Sequence, residues 1–222
     1  MLFRSNQVSQ YRNKWEEIAL TETFDRSRSK ESVELTYSIL NLLTPDILFV
    51  SSPKSAVETV VSQDFGNPLS EVIALQLVQN QLDKLPSYIH QSLLYDLNKR
   101  FCFLLNAKLC SIEQANDLML YQVIEKLPRS NKSQVKNCIK PSVLQWIPQA
   151  ALLDFCISVL HCDCDKICLN ALKLILQHCG WVYPFKRGCI VCERPKQIVL
   201  EPGTDFQQAK TTLLYGDGQE VQ

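Results

Sequence analysis

Glycine and histidine are scarce in this chain, since its 222 residues include six glycines and three histidines. Loops that cradle phosphate groups need closely spaced glycines, and the sequence contains neither GxGxxG nor GxxxxGK(S/T). A catalytic cysteine needs a positioned base, and His90, His161 and His178 all lie within or beside helical patterns. These absences disfavour nucleotide-dependent and cysteine-based enzymes, and we find no other complete catalytic motif.

An excess of charge is also absent, because 23 Lys and Arg residues balance 23 Asp and Glu residues. Domains that bind nucleic acid are usually strongly basic, so this balance disfavours that class. One local basic segment, 126–140, has no acidic residue. It lacks interleaved aromatic residues for base stacking. Its polar composition between Pro128 and Pro141 predicts a solvated loop.

Long apolar runs are missing too. No stretch approaches the roughly 20 apolar residues of a transmembrane helix, and the first residues lack the apolar region of a secretory signal. We therefore expect a cytoplasmic protein without a membrane span. All ten cysteines lie at or after Cys102, and in that compartment we expect reduced thiols.

The spacing of apolar residues predicts an α+β protein with a mainly helical body and a small C-terminal antiparallel β-sheet. Helices are predicted at 7–20, about 25–42, from Pro53 onwards, 69–84, 87–106, 112–127, and twice between 141 and 179. One short strand is predicted near 47–50. After Gly180, short β-rich segments predict a meander and a final hairpin around Gly216–Gly218. We expect a body at 1–180 and a sheet at 181–222, folding as one unit.

Local signals predict where several helices begin and end. Asp25 or Ser27 is expected to cap the second helix, and Pro53 is expected in the first turn of the third. Asp165 is a predicted N-cap of the last helix. Gly180 is expected to end that helix in a left-handed conformation, because glycine tolerates positive φ.

The cysteines of "HCDCDKIC" (161–168) and "CIVC" (189–192) raise the question of a metal site. A tetrahedral zinc site would use Cys162, Cys164, Cys189 and Cys192. The helix predicted at 165–179 would be about 22 Å long, and eight extended residues after Gly180 would return about 26 Å. The two groups of cysteines could therefore come together. However, residues 189 and 192 of a regular strand lie on opposite faces. Cys168 and Cys179 share one helix face with Leu172, as core residues do. We therefore expect no cofactor, and a structural zinc ion remains the alternative.

Two further segments carry a resemblance. The first is "W..IALTETFDR", with Trp15, Thr21, Asp25 and Arg26, followed by Tyr37, Pro45 and the "SSPKSA" turn at Ser52 and Pro53. The second is "GWVYPFKRGCIVCERP", with Gly180, Trp181, Pro184, Phe185, Arg194 and Pro195. Both resemble a bacterial domain family of unknown function that is sometimes found beside leucine-rich repeats. Members of that family usually continue into β-segments that contain a histidine and a GPA sequence before a DG turn. The later "EPGTDFQQAKTTLLYGDG" of this chain departs from the pattern, because it has neither the histidine nor the GPA sequence. The resemblance implies no activity, so no residue inherits a catalytic role.

The matched residues also have physical interpretations. Trp181 and Phe185 are expected to anchor the sheet on the helices, and Arg194 is expected to bond carboxylates or backbone carbonyls. Alternatively, Asp25, Arg26, Ser52 and Arg194 form a polar cleft. The leading hypothesis is a non-enzymatic protein-interaction or scaffolding module whose partner is another protein. The alternatives are a zinc-stabilised regulatory module and an enzyme of unknown chemistry around Asp25 and Arg194.

Overall fold

The computed structural model describes residues 5–20, 23–85, 111–112, 114–138, 146–163, 165–201 and 210–221. The predicted helix at 87–106 lies outside these residues. The helices are α1 (Ser5–Leu20), α2 (Arg26–Ile39), α3 (Pro53–Ser62), α4 (Ser70–Ala74), α5 (Asn80–Asp83), α6 (114–125), α7 (Arg129–Cys138), α8 (Ile147–Ser158) and α9 (Lys166–His178). A π-helical segment, Leu75–Gln79, joins α4 to α5. The strands are β1 (Asp46–Val50), β2 (Trp181–Pro184), β3 (Gly188–Cys192), β4 (Gln197–Glu201), β5 (Lys210–Leu214) and β6 (Glu220–Val221).

The predicted helix starts are confirmed. The Asp25 carboxylate accepts hydrogen bonds from the backbone N–H groups of Ser27 and Arg28, so Asp25 is the N-cap of α2. Ser52 caps α3, and Pro53 occupies its first turn. Asp165 caps α9 in the same way as Asp25 caps α2. In each case a short polar side chain satisfies amides that the first helical turn leaves unpaired.

The α+β class is confirmed, but the C-terminal strands do not form a single meander. β1, β3 and β2 form one sheet in that order, in which β1 runs parallel to β3 and β2 runs antiparallel to it. β4, β5 and β6 form a second, antiparallel sheet. The predicted strand near 47–50 is therefore part of the first sheet, and the predicted hairpin around Gly216–Gly218 joins β5 to β6. The division of the chain at residue 180 stays a prediction.

The core lies around α8, whose residues from Ala150 to Cys156 are all buried. This helix packs on α1 and α9, and α2 packs on α9. Trp15 of α1 is fully buried, and its indole Nε1–H donates to the carboxylate of Asp154 at 3.2 Å. Among the described residues, none of the helices is long and apolar enough to cross a membrane.

The predicted loop at 128–141 is wrong, because α7 occupies most of that segment. The Pro128 carbonyl accepts the backbone N–H of Asn131 at 3.0 Å, so the proline stands at the helix start, where its missing N–H costs nothing. Val135 is fully buried. Lys132 bonds the Glu125 carboxylate of α6 at 2.7 Å. The apolar face with Val135 and the contact with α6 therefore stabilise a helix in this segment, although its composition is polar.

Gly180 does not end α9 in a left-handed conformation, since the described glycines with positive φ are Gly66 and Gly218. The helix ends at His178, and its C-cap residue Cys179 is already extended. Glycine is required at 180 for a different reason. A Cβ atom there would lie 2.5 Å from the carbonyl oxygen of Cys192. The close approach of the start of β2 to the end of β3 therefore selects glycine.

Candidate functional site

The two segments that carry the resemblance contact each other beside the first sheet. The Tyr37 hydroxyl, on α2, donates to the Phe185 carbonyl at 2.8 Å and accepts the Phe185 amide at 3.1 Å. The guanidinium of Arg26 binds the Glu193 carboxylate, with Nε at 2.9 Å from Oε1. Residues more than 140 positions apart in the sequence thus form one structural unit.

The aromatic residues of these segments are packing residues. Trp181 is buried, and its ring centroid lies 5.8 Å from that of Tyr215. Phe185 stacks on Phe65 with a centroid distance of 5.4 Å. The Pro184 carbonyl accepts the backbone N–H of Leu69 at 2.8 Å, and Pro195 is buried. These residues, together with Trp15, hold helices and strands together and leave no reactive group open to solvent.

Arg194 bonds backbone carbonyls, which is one of the two partner types that the sequence predicts for it. Its guanidinium donates to Ile18 O at 2.9 Å and to Leu176 O at 2.6 Å, near the C-terminal ends of α1 and α9. The side chain is buried, and burial lowers the pKa of Arg194 to about 10. It therefore remains cationic at neutral pH, where it complements the negative ends of two helix dipoles.

The four residues of the hypothetical polar cleft each have separate structural partners. Asp25 and Ser52 are helix caps, Arg26 pairs with Glu193, and Arg194 holds carbonyls. A cavity of about 360 Å³ lies at Asp25, and its other lining residues come from α2 and α9. Arg26, Ser52 and Arg194 do not line that cavity. A polar cleft built from these four residues stays a prediction.

His178 is the titratable residue of α9 that lines the cavity at Asp25. Burial, followed by the charge of Arg28, lowers the pKa of His178. The imidazole is therefore neutral at pH 7. Neutral imidazole can accept a proton, but this cavity also contains Arg28 and Glu31, whose charges are opposite. The arrangement defines no reaction on its own.

The predicted zinc ligands occupy different surroundings. Cys189 lies beside Tyr37 and Cys179, and burial followed by the proximity of Cys179 raises its pKa well above the ordinary value. The thiol of Cys192 lies 3.4 Å from the Glu193 carbonyl oxygen, and burial raises its pKa as well. Cys162 is buried in the irregular segment that follows α8. Cys164 lies outside the described residues.

A metal site needs several ligands at one point. Within the ranges that the structure describes, no group of three or more His, Cys, Asp or Glu residues is arranged to hold a metal ion. The predicted core role of Cys168 and Cys179 is confirmed, since both are buried. Because Cys164 is not described, the zinc site stays a prediction.

A second concave surface is a groove of about 680 Å³ between α3, α6 and β6, here named the α3–α6 groove. Its apolar lining residues are Leu118, Met119, Val123, Leu127 and Val221. Charged residues of both signs, among them Lys54, Glu58 and Lys126, surround this lining.

The walls of the α3–α6 groove are fixed to the β5–β6 hairpin by polar contacts. The Tyr215 hydroxyl donates to Asn116 Oδ1 on α6 at 2.7 Å, in a buried position. On the other side, the Ser55 hydroxyl of α3 donates to Asp217 Oδ2 at 3.3 Å. The hairpin therefore holds α3 and α6 apart and keeps the groove open.

Two large apolar side chains on α6 are exposed, and one of them lines the groove. Leu118 lines it and is 49% exposed, and Tyr121, one helical turn further along, is 58% exposed. The sequence predicted a helix at 112–127 without assigning its faces, so the exposure of these two residues was missed. The available signal was the number of apolar positions, since Leu118, Met119, Leu120 and Tyr121 are consecutive and cannot all face the core.

Comparison with family models, with curated proteins and with solved structures finds no match for this chain. The resemblance to the bacterial domain family therefore stays a prediction. The contacts between its two segments are properties of this chain.

Proposed function

We propose that this chain is a cytoplasmic, non-enzymatic protein-interaction or scaffolding module, and that another protein binds in the α3–α6 groove. The observation that carries the proposal is the exposure of Leu118 and Tyr121 on α6 beside a groove with an apolar lining. Single exposed apolar residues are common on protein surfaces. An adjacent pair at helical spacing next to a concave apolar surface is typical of a binding site.

The chemistry of the groove indicates the kind of partner. Burial of Leu118 and Tyr121 by a partner would remove apolar area from water, which is the main favourable term in protein association. Lys54 and Lys126 are exposed at the rim, as is Glu58. A segment with an apolar stripe flanked by charges of both signs complements this surface, and an amphipathic helix has that pattern.

The links from Tyr215 to Asn116 and from Ser55 to Asp217 support the same proposal. They fix the groove before a partner arrives, so binding costs little ordering of the walls. Support for a cytoplasmic location comes from the described cysteines, which are free thiols and buried.

The test compares three immobilised proteins in lysate of native host cells: the wild type, Leu118→Glu and the control Ile167→Glu. Ile167 is 63% exposed on α9 and does not line the groove. We expect at least one protein to be retained by the wild type and the control, and to fall roughly tenfold or more with Leu118→Glu. That protein, once purified, should bind the wild type directly. Retention that does not depend on Leu118, or no retained protein, would overturn the proposal.

A further inference from the structure

β1 is the edge strand of the first sheet, and its backbone bonds show which residues face outward. Asp46 N–H donates to Arg187 O at 3.3 Å, and Val50 O accepts the N–H of Glu193 at 2.8 Å. Alternate residues of a strand direct their backbone groups to the same side. Asp46, Leu48 and Val50 therefore face β3, and Ile47 and Phe49 direct their N–H and C=O groups to the other side.

No strand pairs with that outer side in the part of the chain that the structure describes, where β3 is the one strand paired with β1. Unpaired N–H and C=O groups on an edge are a template for another strand, and proteins usually protect such edges with charges or prolines. Here the strand is "DILFV", with one charged residue at its first position. Its apolar residues are half-buried, and nearby Leu43 is 85% exposed.

We propose that β1 pairs antiparallel with β1 of a second copy of this chain, about a two-fold axis that passes at Leu48. The two outward-facing residues lie symmetrically on either side of Leu48. The axis therefore places Ile47 opposite Phe49 of the second copy, and each such pair exchanges both of its N–H···O bonds. The two sheets join into one continuous sheet across the axis.

The side chains fit the same register. Ile47 and Phe49 lie on one face of β1, so the axis creates two identical cross-strand pairs of a β-branched with an aromatic residue, which is a favourable combination. Asp46 lies opposite Val50 of the second copy, so the acidic side chains of the two copies are not paired with each other. This absence of like-charge pairing favours a second copy as the occupant of the edge.

Symmetry provides a further reason for this occupant. A two-fold interface uses the same surface on both copies and leaves no free β1 edge, so assembly stops at the dimer. An extended peptide from another protein would also satisfy the edge. If such a peptide is the partner, the chain by itself remains monomeric. The α3–α6 groove is a different surface, and the dimer does not depend on the proposed function.

The decisive experiment places a cysteine on the axis with Leu48→Cys. In this register the Leu48 residues of the two copies face each other as a non-hydrogen-bonded pair with a Cα–Cα distance of about 4.5 Å. That distance lies within the range of roughly 4.4 to 6.8 Å for disulfides. With oxidised glutathione as the oxidant, the two thiols form one disulfide and two glutathione molecules are released. Wild-type protein controls for the native cysteines, and Leu43→Cys controls for an exposed cysteine away from the axis.

We expect a disulfide-linked dimer for Leu48→Cys and none for the two controls. Light scattering of the wild type should give the mass of two chains, and Leu118→Glu should not change that mass. A second variant, Phe49→Pro, removes an outward N–H without removing a bond to β3. It should weaken the dimer at least tenfold with an unchanged circular dichroism spectrum. If Phe49→Pro does not fold, the disulfide cross-linking of Leu48→Cys tests the proposal without it. A wild type with the mass of one chain, or cross-linking no greater for Leu48→Cys than for Leu43→Cys, would overturn the proposal.

Discussion

The Arg194 guanidinium and the Leu176 carbonyl oxygen are 2.6 Å apart in the core, at the point where α9 ends. The same guanidinium reaches Ile18 O of α1. One side chain that follows the first sheet therefore satisfies the terminal carbonyls of two helices that are far apart in the sequence. Such carbonyls have no partner within their own helix.

Arg194→Leu should destabilise the protein strongly, because it leaves buried carbonyl oxygens without donors. We expect a loss of about 3 kcal/mol in the free energy of unfolding, measured by urea denaturation. For a chain of this size the melting temperature should fall by roughly 6–12 °C. The matched control is Arg187→Leu, since Arg187 is 61% exposed and pairs with an exposed Asp64. It should change stability by less than about 1 kcal/mol. Equal effects of the two substitutions would contradict the assigned role of Arg194.

Gly180→Ala should also destabilise the protein, in this case through steric overlap. The new methyl group would lie 2.5 Å from the Cys192 carbonyl, and neighbouring backbone atoms leave it no space. We expect a cost of about 1–3 kcal/mol. At Gly216 the nearest atom is 3.5 Å away and belongs to a flexible lysine. Gly216→Ala should therefore be neutral or stabilise by up to about 1 kcal/mol. Thermal melts of the two variants should shift apart, and a stable Gly180→Ala variant would contradict the close approach.

The loss of folding stability at acidic pH should depend on Asp154. Burial alone would raise the pKa of this carboxyl, but Lys14 at 2.6 Å and Lys173 at 3.4 Å outweigh burial and hold it below the usual 3.8. A carboxyl with a lowered folded-state pKa stabilises the protein above its unfolded-state pKa. The contribution starts to be lost as the pH falls towards 3.8, and it is gone below the lowered pKa.

Asp154→Asn should lower stability at pH 7 by about 1–2 kcal/mol, since both lysines are partly exposed and solvent weakens the pairs. It should also flatten the stability curve between pH 5 and pH 2, as followed by urea titrations. Lys14→Met should reduce part of the slope of stability against pH. Lys30→Met, which removes an exposed ion pair on α2, should leave that slope unchanged. An unchanged slope in Asp154→Asn would show that the acid transition has another origin.

Metal content tests the zinc hypothesis directly. We expect untagged protein to carry far less than one zinc ion per chain, and its melting temperature to be unchanged by chelator. The reason is that Cys189 and Cys192 point to different surroundings and have pKa values raised by burial. Stoichiometric zinc, with a melting temperature that falls in chelator, would instead support the zinc-stabilised module. Cys162→Ser and Cys189→Ser would then each have to release the metal.

The sequence predicted the features of the fold that depend on neighbouring residues. The caps Asp25 and Asp165 and the first-turn Pro53 act within a few residues, so their types are sufficient to predict them. The α7 helix escaped prediction because its stability depends on Val135 reaching the core and on Glu125 reaching Lys132. The parallel pairing of β1 with β3 escaped for the same reason, since no local pattern identifies a distant partner strand.

The candidate binding surface was less predictable than the fold. Leu118 and Tyr121 have the same chemistry as core residues, and their exposure depends on which face of α6 the β5–β6 hairpin covers. The bond from Tyr215 to Asn116 that sets this orientation joins two polar residues with no motif in common. For Arg194 the sequence predicted carbonyl partners but not the helices that supply them.

The parallel pairing of Asp46 with Gly188 also determines when this protein can fold during its synthesis. β1 leaves the ribosome about 140 residues before the strand that holds it. Until then "DILFV" is an unpaired apolar segment without its sheet partner, and sheets of such high sequence separation form slowly. A ribosome-bound chain that stops before residue 185 lacks β3 and also the Phe185 anchor for Tyr37. The residues that precede β3 are therefore exposed to misfolding until β3 has been synthesised.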